Sequence, residues 1–158
     1  MKRLLKKSLC LLLLATPAIA LQAQTGAQPQ EVECLGVELD GSQTLRSKGK
    51  GKNKADAVEQ AMKNAVWAVI FEGIHAGSAG CDMRPIVAEA NAREKYEEYF
   101  NAFFRDNGGY KDYVSMEDEK RWSKDKSKNK YEVTYIITVR VLRPELKSRL
   151  RQDKILKN

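Results

Sequence analysis

The chain predicts an α+β fold, a two-layer sandwich of an antiparallel sheet packed against helices in the order β-β-α-α-β-β-α. Two periodicities and one turn signal carry that expectation. Tyr131, Val133, Tyr135, Ile137, Val139 and Val141 recur at every second position, the period of a half-buried strand. After Asn53 the apolar residues recur at three and four, the period of a helix with one buried face. Asp40-Gly41 between two short apolar alternations marks a hairpin and hence antiparallel pairing.

Taken in order, Val32, Cys34, Val37 and Leu39 alternate with a break at Leu35-Gly36, which reads as a first strand with a bulge at Gly36. Asp40-Gly41 supplies the positive φ angles of a tight turn, and residues 42–49 return as the second strand. Asn53-Lys54-Ala55-Asp56 then opens a long helix, with Asn53 as cap and Asp56 reaching back as in a capping box. Val58, Ala61, Met62, Ala65, Val66, Val69 and Ile70 form its apolar stripe, and Gly73 stops it. Ala57, Ala61, Ala65 and Ala68 keep the helix slim enough to lie close against a sheet.

Residues 74–82 read as a loop tied down by Cys81. A second helix is expected after Pro85, with Tyr96, Tyr99, Phe100, Phe103 and Phe104 as an aromatic core stripe, ending at Asn107-Gly108-Gly109. Val114, Met116 and Trp122 begin one arm of a long hairpin whose polar tip is 123–130 and whose other arm is the alternating stretch to Val141. Pro144 fits the first turn of a terminal helix with Leu146 and Leu150 facing inward.

The first 23 residues read as a secretory signal peptide. Lys2, Arg3, Lys6 and Lys7 precede the apolar run from Leu9 to Ala15, and small residues allow cleavage after Ala20 or Ala23. The run is too short to span a bilayer, so the expected product is periplasmic or secreted, with no transmembrane segment. Cys10 lies inside the run and lacks the small residue that a lipoprotein signal places before its cysteine. Residues 24–30 are expected to be a disordered leader and 31–158 a single domain. Four of the 28 basic residues and none of the 21 acidic ones lie in the signal, so the net charge falls from +7 to +3 on its removal. That residue of charge is ordinary, and no nucleic-acid partner is expected.

Cys34 and Cys81 remain after processing, and an oxidising compartment favours a disulfide between them; the alternative is two separately buried thiols. With His75 as the one histidine, the chain offers too few soft ligands for a structural zinc site, so neither metal nor cofactor is expected. Ala76-Gly77-Ser78-Ala79-Gly80 has nearly the spacing of a nucleophile elbow, but the required strand-to-helix turn and downstream histidine are both missing from the sequence. Glu94, Glu97 and Glu98, and Glu117, Asp118 and Glu119, each sit beside lysine or arginine, as surface pairs do. No catalytic residue is assigned, and the protein is expected not to be an enzyme.

Arg46, Lys48, Lys50, Lys52 and Lys54 alternate with small residues, so an extended backbone points all five cations to one side. Gly49 and Gly51, just before a helix start, add backbone amides that an anion can approach. The same stretch also reads as a solvated strand face, with its glycines bending the chain into the helix.

Gly49-Lys50-Gly51 through Ala55, Ala57, Ala61 and Ala65 to Phe71-Glu72-Gly73-Ile74, together with Arg93-Glu94-Lys95-Tyr96 through Tyr99-Phe100 to Phe104, resemble a group of secreted proteins of Gram-negative gut anaerobes. The resemblance covers nearly all of the chain after the signal, and implies location and fold rather than an activity. More distantly, a strand leading through glycine into a helix with alanine at every fourth residue is similar to the small envelope domains of flagellar-assembly and curli-secretion proteins. That likeness implies a non-enzymatic role in an envelope assembly, through an envelope protein partner or self-association, and defines no site residue. An anionic glycan or lipid held by Arg46, Lys48, Lys50, Lys52 and Lys54 is the alternative expectation.

Overall fold

The computed structural model describes residues 32–77, 80–116, 127–128 and 132–156. The expected signal peptide and leader, Ser78, Trp122, Tyr131 and the carboxylates Glu117, Asp118 and Glu119 lie outside the described residues. Strands β1 (Glu33–Val37) and β2 (Gln43–Gly51) form a hairpin, and helix α1 (Lys54–Trp67) runs on into a π-helical turn at Ala68–Glu72. Strand β3 (Ala76–Gly77), helices α2 (Ala92–Lys95) and α3 (Glu97–Phe104) and a 3-10 turn (Gly109–Tyr113) follow. Strands β4 (Val114–Met116), β5 (Ser127–Lys128) and β6 (Val133–Val141) and helix α4 (Arg143–Gln152) complete the described elements.

The fold is α+β. Its sheet has the order β3-β1-β2-β6-β4, with β5 also on β6, and every pairing is antiparallel except β1 with β3. β2 and β6 pair along their whole length, from Gln43 opposite Val141 to Gly51 opposite Val133. The pleat turns Leu45 and Ser47 of β2, and Ile137, Val139 and Val141 of β6, toward the helices, and all five are buried.

Helix α1 lies directly on β2. Asn53 caps it, its side chain accepting from the Asp56 amide at 3.1 Å, while Asp56 reaches back to the Asn53 side-chain amide at 2.9 Å. Ala57, Ala61 and Ala65 are wholly buried and Gly49 carries no side chain, so helix and strand backbones touch. Two buried hydrogen bonds stitch the contact: Ser47 Oγ donates to the Ala61 carbonyl and Asn64 Nδ2 to the Lys48 carbonyl, each at 2.8 Å. These bonds give the Ser47 hydroxyl and the Asn64 amide, both buried by the close packing, an acceptor on the facing element.

Several expectations need correction. The Asp40-Gly41 turn has one positive φ, at Gly41 (+83°). The Gly41 amide bonds to the Glu38 carbonyl at 2.9 Å, so Leu39-Asp40 is the centre of the turn and glycine follows it. The bulge lies between Cys34 and Gly36, as the break in alternation suggests. The loop after Gly73 contains β3, because Cys81 is joined to Cys34, with Cα atoms 6.0 Å apart, and the intervening chain is drawn alongside β1. The second helix does not follow Pro85. The amides of Ile86 and Val87 bond instead to the Val69 and Ile70 carbonyls in the π-helical turn that follows α1, so helix starts only at Ala92 and is divided at Tyr96. The element order is therefore β-β-α-β-α-α-β-β-β-α among the described residues.

The aromatic stripe is core. Phe71 meets Phe100 at 4.7 Å between ring centroids, Trp67 meets Phe104 at 5.4 Å, and Tyr110 is wholly buried with its hydroxyl donating to Glu59 at 2.8 Å. α4 carries Pro144 in its first turn and buries Leu146 and Leu150 completely. Tyr99 ties α3 to the end of α4 through Asp153 at 2.7 Å. Among the described residues no helix is long and apolar enough to cross a membrane.

Candidate interaction surface

The described helices cover one face of the sheet. The other presents Thr44, Arg46, Lys48 and Lys50 from β2 beside Arg140, Thr138, Ile136 and Thr134 from β6, all half-buried or exposed. Register sets Arg46 against Thr138, Lys48 against Ile136 and Lys50 against Thr134, so each of these cations lies beside a stiff β-branched side chain. Successive side chains on this face are about 7 Å apart along the strand.

Three of the four cations already have carboxylate neighbours. Arg46 meets Glu33 at 2.8 Å, Arg140 meets Glu38 at 3.6 Å and Lys50 meets Glu132 at 3.8 Å. Such exposed pairs contribute roughly 0–1 kcal/mol each and are screened by salt, so an approaching charge can replace either member at little cost. Lys48 has no ion partner among the described residues.

The five cations singled out in the sequence do not all share this face. β2 ends at Gly51, where the chain turns into the Asn53 cap, so exposed Lys52 lies beyond the strand and Lys54 is the first residue of α1. Lys52 instead borders a cleft of about 360 Å³ with Lys63, opposite Asp56, Glu59 and Asp106, whose rim Lys50 reaches from the end of the strand. Three ammonium groups facing three carboxylates make no anion trap. Gly49 and Gly51 belong to the ladder with β6, and their missing side chains are explained by α1.

The remaining candidates do not converge on a site. Exposed His75 has Nε2 3.1 Å from the Glu72 carbonyl, and Glu94, Glu97 and Glu98 are exposed on α2 and α3. The Tyr110 hydroxyl holds Glu59 below the usual carboxylate range, and the Arg84 amide with Arg143 does the same for Asp82. No cluster of three or more metal-ligating side chains occurs among the described residues.

Glu72 is the exception in sign. Burial pushes its carboxyl pKa up, partly offset by the Trp67 indole N–H donating to it at 3.2 Å. A raised pKa favours the neutral form in the folded state, so the stabilising term is complete below the unfolded value and is lost as pH rises through the folded one. Glu72→Gln, which keeps an acceptor for Trp67, is expected to raise the melting temperature at pH 7. The gain should vanish below the ordinary glutamate pKa of about 4.3, which a pair of thermal melts at the two pH values checks.

The β6 half of the open face is the polar phase of the alternation from Val133 to Val141, so its residues were visible in the sequence while their partnership with β2 was not. No family model matches the chain, and neither a curated protein nor a solved structure matches it.

Proposed function

We propose that this is an exported, non-enzymatic domain that works by protein–protein contact in a cell-envelope assembly, with the face of β2 and β6 that no described helix covers as its contact surface. The observation that carries the reading is that face itself: Thr44, Arg46, Lys48 and Lys50 beside Thr134 and Thr138, covered by none of the described helices, while Leu45, Ser47, Ile137, Val139 and Val141 are buried on the opposite face. Among the described residues Lys48 has no ion partner, and the exposed pairs of Arg46 with Glu33 and Lys50 with Glu132 are weak enough to exchange, which favours a partner with an acidic surface. Export is supported by the cationic start and apolar run at the N-terminus, and a Cys34–Cys81 bridge suits an oxidising compartment.

A photo-crosslinking residue at Thr138, in protein expressed in a Gram-negative host, is expected to give one protein adduct of fixed mass, and the same group at Glu97 none. Combined Arg46→Glu and Lys48→Glu substitution should abolish the adduct while leaving the melting temperature nearly unchanged, because both side chains lie outside the core. Equal labelling from both positions, or no protein adduct, overturns the reading.

The second reading, an anionic glycan or lipid, is favoured by the regular placement of Arg46, Lys48 and Lys50 on one face. It is selected if sulfated dextran or anionic vesicles bind, if binding decays steeply with salt, and if changing those three residues to Gln removes it.

A further inference from the structure

We infer that the cleft between the β1–β2 turn, the loop at Gly80–Asp82 and the first turn of α4 binds a small carboxylate carrying an adjacent N–H, as a free amino acid or the last residue of a peptide does. The cleft holds about 300 Å³, the low end for ligand sites, and lies on the helix-bearing side, away from the open sheet face. Its polar lining comes from Gln43, Asp82, Arg143 and Lys147, and Val37 and Pro144 give it apolar walls.

Each group makes a separate demand on an occupant. Arg143 and Lys147 stand one turn apart on α4, which begins here without a side-chain cap, so cationic side chains and the positive end of the helix bring an anion to the same place. Arg143 is fixed: Nη2 donates to Asp82 and to the Arg84 carbonyl, each at 2.8 Å, and Nη1 to the Val69 carbonyl at 3.4 Å. Exposed Lys147 is the cation left to follow a carboxylate.

Gln43 supplies the independent observation. It is 1% exposed, it lines the cleft, and its Oε1 has no hydrogen-bond partner. A buried acceptor without a donor is destabilising, and such groups in folded proteins are normally met by a water or a ligand. Its terminal amide turns about a soft torsion, which brings the oxygen to the wall the side chain already forms. An N–H next to a carboxylate then reaches Gln43 and Asp82 while the carboxylate faces Lys147, and an aliphatic side chain rests on Val37 and Pro144.

Calorimetric titration of the full chain with valine, N-acetylvaline and N-acetylvalinamide tests this. Valine or N-acetylvaline is expected to bind in the millimolar range or tighter and the amide is not; binding of valine alone identifies a free amino acid, and binding of both acids a peptide terminus. Lys147→Gln should weaken binding about tenfold, the size of one charge-assisted contact, with unchanged melting. Gln43→Met should weaken it comparably while holding or raising the melting temperature, since the orphaned oxygen is gone. Combined Arg46→Glu and Lys48→Glu should leave it intact, which separates this site from the sheet face. Three results overturn the inference: no binding by either acid, equal binding of the amide, or undiminished binding in both cleft variants, in which case Gln43 is met by water alone.

Discussion

Gly49→Val is expected to prevent stable folding, and Gly49→Ala to cost about 3 kcal/mol or more, at or beyond the upper end of ordinary overpacking. A Cβ at Gly49 would lie 2.1 Å from the Ala57 carbonyl oxygen and 2.3 Å from the Ala61 amide nitrogen. Both are backbone atoms inside α1, so no side-chain rotation relieves the collision. The helix must lift from β2, which stretches the Ser47–Ala61 and Asn64–Lys48 hydrogen bonds and opens space beneath Ala57 and Ala61. Gly36→Ala is the matched control. A Cβ there meets nothing within 4 Å, and its expected effect stays within about 0.5 kcal/mol. Urea denaturation of the two alanine variants checks the contrast, and similar midpoints would show that helix and strand are not in backbone contact.

Loss of the Cys34–Cys81 bridge is the second large effect. The two cysteines are 47 residues apart, and closing a loop of that length removes unfolded-state entropy of about 4 kcal/mol. For a domain of this size the melting temperature should fall by roughly 10–20 °C on reduction or in Cys81→Ser. Thiol labelling of the unfolded, unreduced protein gives a direct reading: no modified cysteine supports the bridge, and labelling of both Cys34 and Cys81 contradicts it. Local effects should accompany the global one. Cys34 is in β1 and Cys81 follows the β3 segment, so amide exchange at Ala76 and Gly77 should rise before that of β2.

What could be read in the sequence was local. Asn53 and Asp56 announce their helix because capping is settled within four residues, and Pro144 with Leu146 and Leu150 does the same for α4. Alternation found β6 and the break at Gly36 found the bulge, since strand period and twist are written along a single segment. Partnership between segments was legible only where a turn, a hairpin or a cysteine pair marked it, as for β1 with β2, β4 with β6 and Cys34 with Cys81. Nothing near Lys48 says that Ile136 will lie beside it, and nothing in the run after Pro85 shows that the Ile86 and Val87 amides are claimed by the π-helical turn after α1. The basic run was visible as a list of lysines, but only the turn at Gly51 separates Arg46, Lys48 and Lys50 from Lys52 and Lys54. Gln43, Asp82, Arg143 and Lys147 meet because three distant stretches converge, and no spacing rule joins them.

The neighbours in the middle of the sheet also set the order in which the chain can assemble. β2 and β6 are paired residue for residue yet roughly 80 to 100 positions apart, so the main ladder is among the last contacts whose loop closes and the folding rate should be that of a high-contact-order domain. Until β6 arrives, the β1–β2 hairpin has a bare inner edge, and α1 can nucleate on β2 but cannot bury Val66 or Val69 against a finished sheet. A chain cut off before Val133 thus keeps an open strand edge next to a sticky half-core, a species prone to self-pairing. The C-terminal strand closes that edge by pairing between β2 and β4.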